Sequence, residues 1–83
     1  MKLAKLQDIL DNYKDGDEHG WEIEFRFLRL EHSDRIEELS AEVLRDGMKE
    51  PVLLGSDDRV WDGHHRLCVA DLLGMEYVPV EFA

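Results

Sequence analysis

The 83 residues carry 20 acidic against 10 basic side chains, a formal net charge of −10, with 43% hydrophobic and 36% charged residues. That balance is ordinary for a small folded domain, but it disfavours sequence-independent contact with nucleic acid backbones or anionic membranes and suits a basic partner. The single cysteine, Cys68, excludes an intramolecular disulfide, and no apolar run approaches the ~20 residues that span a bilayer. With no apolar leader block after Met1, a cytoplasmic location is expected.

Leu3, Leu6, Ile9 or Leu10, and Tyr13 recur at helical spacing and predict an amphipathic helix over residues 2–14. Lys2 and Lys5 open it and Asp11 and Asp15 close it, against the macrodipole, so it needs a surface to pack on. The domain's own core and a protein partner or second copy (a homodimer through residues 2–14) both remain open. The run from Asp15 to Gly20 reads as a solvated acidic loop, because the glycine and terminal glutamate spacing of an EF-hand is missing. Trp21, Ile23, Phe25 and Phe27 then alternate with Glu22, Glu24 and Arg26, which predicts a half-buried strand.

Ser33 or Asp34 is the expected N-cap of a helix whose apolar stripe is Ile36, Leu39, Val43 and Leu44, with Gly47 at its C′ position. Pro51 releases the chain into a hairpin over residues 51–62, turning at Gly55-Ser56-Asp57-Asp58. Gly63 introduces a helix from His64 to Leu73, apolar on much of its circumference and ended by Gly74. Residues 78–82 form a last strand, with Pro79 placing it at an edge or an irregular pairing.

The chemistry concentrates in Asp62-Gly63-His64-His65-Arg66. A helix N-terminus presents unpaired N–H groups and partial positive charge, Gly63 would permit close backbone approach, and Arg66 offers a planar fork to phosphate oxygens. Asp62 could act as N-cap, magnesium ligand or general base, with capping the default. The histidines could do acid–base work, against the simpler reading in which one caps the helix and the other packs on Trp61. His64 and Cys68 share a helix face at a zinc-compatible spacing, but too few further ligands converge, so no metal site is expected. Cys68, one turn into an apolar helix, is expected to be buried and inert.

Ile36-x-x-Leu39, Gly47-Met48-Lys49-Glu50-Pro51-Val52, Asp62-Gly63-His64-His65-Arg66-Leu67, Ala70, Gly74 and Val78-Pro79-Val80 together resemble the ParB/sulfiredoxin superfamily. The resemblance spans about residues 25–82 and implies one small α/β (α+β) domain over residues 1–83, with a small mixed sheet and about three helices. It also implies a nucleotide groove between the glycine–proline segment and the helix opened by the glycine–arginine motif. In the chromosome-partition branch, the glycine-to-proline box and a G-E-R-R motif hold CTP phosphates. By position this assigns phosphate contacts to Gly47, Pro51, Gly63, His65 and Arg66, with His64 beside them.

The sequence departs from that pattern at Glu50, where glutamine is usual, and at His64 and His65. It also stops before the helical segment that completes the CTP site and before a helix-turn-helix. In sulfiredoxins the motif looks like G-G-C-H-R. His64 takes the cysteine position, so sulfinic-acid reduction is not implied, whereas His65 and Arg66 match the phosphate-binding pair. Other relatives phosphorylate free serine or have been called nucleases, which makes Asp62, His64 and Glu50 the catalytic candidates by analogy alone.

The resulting expectation is a free-standing ParB-like domain binding a nucleotide (CTP, ATP or ADP, with magnesium), no turnover being established by the residues. The alternatives are an acidic, non-enzymatic interaction protein, similar to phage-encoded members that bind a host or basic protein, and a ParB-like nuclease.

Overall fold

The computed structural model describes residues 2–16 and 19–83; Asp17 and Glu18 of the expected acidic loop lie outside the described residues. In chain order the elements are β1 (Lys2–Lys5), α1 (Leu6–Asn12), α2 (Trp21–Glu31), α3 (Ser33–Asp46), β2 (Val52–Leu54), β3 (Val60–Asp62), α4 (His64–Leu73) and β4 (Tyr77–Phe82). Among the described residues the strands form one mixed sheet in the order β1-β4-β2-β3. β1 runs antiparallel to β4, β4 parallel to β2, and β2 antiparallel to β3. This is the expected α+β class with a small mixed sheet, and the described residues form four helices where about three were expected.

The N-terminal segment is a strand followed by a short helix, not one helix over residues 2–14. The Leu3-Leu6-Ile9 spacing runs through the junction without a break, so periodicity alone joins them. Pairing of Lys2 to Lys5 with Val80 to Tyr77 supplies backbone partners that a helix with reversed end charges would not match. Leu6 and Ile9 then bury into the chain's own core.

The segment from Trp21 is a helix, not the predicted strand. Its buried residues are Trp21, Glu24, Phe25 and Leu28, at i, i+3, i+4 and i+7, while Ile23 and Phe27 face solvent. Positions 21 and 25 satisfy both periods. Leu28, an apolar residue at a position the alternation assigns to the polar face, breaks the strand pattern and is buried at i+7 of the helix.

α3 forms where predicted, with Ile36, Leu39 and Val43 buried and Gly47 as C-cap at φ 82°. Its N-cap is His32 rather than Ser33 or Asp34, without a side-chain cap, because one residue both ends α2 and starts α3. Leu44, counted in the stripe, is solvent-exposed. The β2–β3 hairpin is also as predicted; Asp57 Oδ1 accepts from the Arg59 backbone N–H at 3.3 Å and from Trp61 Nε1 at 2.9 Å.

α4 touches α1, α2, α3 and β2, and buries Leu67, Cys68, Val69 and Ala70 at the centre of a single core. This accords with its all-round apolar sequence, except that Leu72 is exposed. β4 is an inner strand with Val78, Pro79 and Val80 buried, so Pro79 is neither at an edge nor in an irregular register. It faces Leu3 of the four-residue β1, where one missing N–H leaves the neighbouring ladder intact.

Candidate functional site

Three segments that are far apart in sequence meet at the first turn of α4. Gly63 is its N-cap at φ 112°, a conformation that L side chains rarely adopt. A Cβ there would come within 3.1 Å of Val52 Cα and 3.2 Å of Arg66 Nη1. The close approach that Gly63 permits is therefore by β2 and by Arg66 itself. The first helical bond runs from the Leu67 N–H to the Gly63 carbonyl at 2.9 Å, and no side chain caps the turn. Asp62 is not the N-cap: it ends β3, is largely exposed, and lies 4.0 Å from Arg66 Nη1.

Arg66 leans back over β2, its side chain only 18% exposed. Nη1 donates to the Pro51 carbonyl at 2.9 Å, and Nη2 meets Glu50 Oε2 at 3.3 Å. A groove of about 110 Å³ opens beside it, lined by Arg35, Gly47, Met48, Lys49, Glu50 and Arg66 together with α3 side chains. Three cationic side chains thus share one small concavity in a chain of net charge −10. The glycine–proline segment and the start of α4 do flank a groove, and Gly47, Glu50 and Arg66 line it.

The histidines part company. His64 turns toward α2, its ring 5.6 Å from that of Trp21 (not Trp61), and its Nε2 has no hydrogen-bond partner. His65 meets His32 at the α2–α3 junction, the rings nearly parallel at 13° with Nδ1 of His32 2.9 Å from Nε2 of His65. Neither caps α4. Burial holds the His65 pKa below its ordinary value, assisted by the charges of His32, Arg35 and His64 and opposed by Glu24. Such a contact needs one ring nitrogen to carry hydrogen and the other to be bare, so at least one imidazole stays neutral.

Sequence reasoning missed Arg35 and His32. Each reaches the site through α3 packing on α4, which no local pattern encodes. The one hint is that Arg35 precedes the buried Ile36 on the helix wall.

Cys68 is fully buried with Sγ 3.9 Å from the Phe25 carbonyl, and burial pushes its thiol up to about 11. It is too deep and too weakly acidic to be a nucleophile at neutral pH. Among the described residues no three His, Cys, Asp or Glu side chains are grouped to hold a metal ion, and no helix is long and apolar enough to cross a membrane.

No protein-family model and no curated protein matches the sequence. Among solved structures, the chain is similar to one described as a Pnob8-like ParB-N domain, with a TM-score of 0.62 at 17% identity. The match covers 98% of this chain and 27% of that one, so the present chain spans about a quarter of its length. At that identity the likeness concerns backbone architecture and agrees with the order of landmarks read from the sequence. The chain has the ParB-N-like fold.

Proposed function

We propose that the groove between residues 47–51 and the first turn of α4 binds the phosphate end of a ligand such as a nucleotide, its volume of about 110 Å³ holding phosphate groups and leaving the rest of the molecule outside. The observation that carries this is the convergence of Arg35, Lys49 and Arg66 on one concavity that also holds the Glu42 and Glu50 carboxylates, a small cationic excess in a chain of net charge −10. The Glu50 carboxylate against Arg66 Nη2 marks a position where an anion is already favourable, and at 77% exposure it can swing aside. The N–H groups at the start of α4, which no side chain caps, add donors and partial positive charge in the turn that carries Arg66. Gly47, Pro51, Gly63 and Arg66 then shape and line the site, while His65 acts through its contact with His32 beside Arg35. Nothing in this arrangement requires turnover.

The test is calorimetric titration with CTP, ATP and ADP, with and without magnesium, on wild type, Arg66→Ala and Arg35→Ala. Losing a charge-assisted contact of about 1.5–3 kcal/mol weakens binding roughly ten- to a hundredfold. Arg35 is exposed and its removal spares the Pro51 contact, so Arg35→Ala checks the site even where Arg66→Ala disturbs β2. Absence of binding to wild type at millimolar nucleotide would overturn the proposal.

One observation favours a second reading, the acidic interaction protein for a basic partner. Arg66 is satisfied inside the chain by Pro51 and Glu50, with Asp62 near, as a structural arginine would be. Residues 2–12 are committed to the chain's own sheet and core, so deleting them would test folding rather than docking. Capture experiments suit the intact chain, with substitutions at Ile23 and Leu30 on the exposed face of α2. A partner retained by both variants would remove that face from consideration.

A further inference from the structure

A separate cleft of about 740 Å³ lies between α1, the segment after it and the start of α2, sharing no lining residue with the groove at Arg66. Gln7, Asp11, Tyr13, Asp15 and Trp21 are among the residues that line it. Asp15 is the unusual member, with only 1% of its surface exposed. Among the described residues, its Oδ1 accepts a long hydrogen bond from the His19 backbone N–H at 3.3 Å, and its Oδ2 has no partner. A buried carboxylate oxygen without a donor costs free energy, and a proton, an ordered water or a cation with hydrogens to give relieves that cost.

The remaining polar groups of the cleft do not provide that donor. Gln7 Nε2 is directed at Asp11 Oδ1 at 2.8 Å, and Trp21 Nε1 at the Tyr13 carbonyl at 2.8 Å. Lys14, also on the lining, has contacts of its own, with its backbone paired to the edge of β3. The lining therefore carries two carboxylates, Asp11 and Asp15, against the one cationic side chain of Lys14, together with an indole wall, which suits a cation carrying a short apolar chain. Its volume is in the range of small-molecule sites.

We propose that this cleft binds a compact organic cation, a protonated amine or guanidinium on a short aliphatic chain, with Asp15 accepting from the head group and Trp21 lying along the chain. The inference is independent of the nucleotide reading. The test is an NMR titration of the full chain with butylguanidinium and, as the neutral control, 1-butanol. The backbone amides of Tyr13 and Lys14 and the indole N–H of Trp21 report on the cleft.

Saturable shifts at those positions with the cation and not with the alcohol are expected. Asp15→Asn should weaken the cation about tenfold or more while leaving the spectrum dispersed. Should that variant fail to fold, the wild-type comparison of cation with alcohol still decides. Shifts of equal size for both ligands, none at about 10 mM cation, or shifts centred on Arg66 would overturn the proposal.

Discussion

At Gly63 one missing Cβ leaves the room in which β2 and the Arg66 guanidinium approach the start of α4. The backbone at φ 112° is strained for any other residue, and the space a methyl would take belongs to Val52 and the Arg66 guanidinium. Gly63→Ala is expected to lower stability by about 1–3 kcal/mol in urea denaturation and to displace Arg66. Glu50 is the opposite case, an exposed carboxylate that competes with any anion for Arg66 Nη2. Glu50→Gln should strengthen nucleotide binding several-fold in the calorimetric titration, roughly 1 kcal/mol, at little cost in stability. Weaker binding in that variant would mean that Glu50 positions the ligand rather than competing with it.

His65 gives the stability of the fold a pH dependence. The unfolded imidazole takes its proton near 6.5, whereas burial and neighbouring His32, Arg35 and His64 delay protonation in the fold to lower pH. Between those two values the unfolded chain binds more protons, so this contribution is complete above about 6.5 and is lost as pH falls below it. Denaturation midpoints should drop between pH about 7.5 and 5.5, and His65→Gln should remove part of that drop. An identical drop in the variant would assign the effect to the carboxylates instead.

Among the elements, legibility followed the presence of stop signals. α3, the hairpin and α4 are bounded by Gly47, Pro51, Gly63 and Gly74, and each forms where those residues imply. No such residue separates Leu3 from Leu6, so a strand and a helix read as one helix. At α2 the start signal, Gly20, was present, but an aromatic alternation fitted two periods at once. The groove was legible in part for the same reason. Arg66, Gly63 and the glycine–proline segment lie at element boundaries marked in the sequence, whereas Arg35 and His32 arrive by helix packing. α2 itself supplies a direct check. A strand would place Phe25 and Phe27 on one face, but the helix buries Phe25 at 4% exposure and leaves Phe27 at 48%. Phe25→Ala should therefore cost about 3–5 kcal/mol and Phe27→Ala less than about 1 kcal/mol, measured by urea denaturation. Equal costs would contradict the helical assignment.

For the molecule as a whole, charge is distributed so that the surface opposes the site. Twenty acidic groups against ten basic ones leave a net charge of −10 spread over a small globule, while the groove of Arg35, Lys49 and Arg66, even with Glu42 and Glu50 on its lining, holds a small cationic excess. Exposed ion pairs among the described residues offset little of the repulsion. Arg26–Glu22 at 3.7 Å and Arg45–Asp46 at 3.1 Å both join exposed or partly exposed side chains, where a pair contributes at most about 1 kcal/mol. Added salt screens both kinds of interaction, but long-range repulsion among many like charges is lost on screening at distances beyond about 10 Å, where the attractive pairs contribute nothing. Raising sodium chloride from about 10 to 500 mM should therefore raise the thermal midpoint, by several degrees for each roughly 1 kcal/mol of relieved repulsion. A falling midpoint in a calorimetric scan would mean that close ion pairs, Arg66 with Glu50 foremost, outweigh the self-repulsion. Arg66→Ala would then flatten the salt dependence, and the groove would be a structural clasp between α4 and the segment before β2 rather than a place kept for an anion.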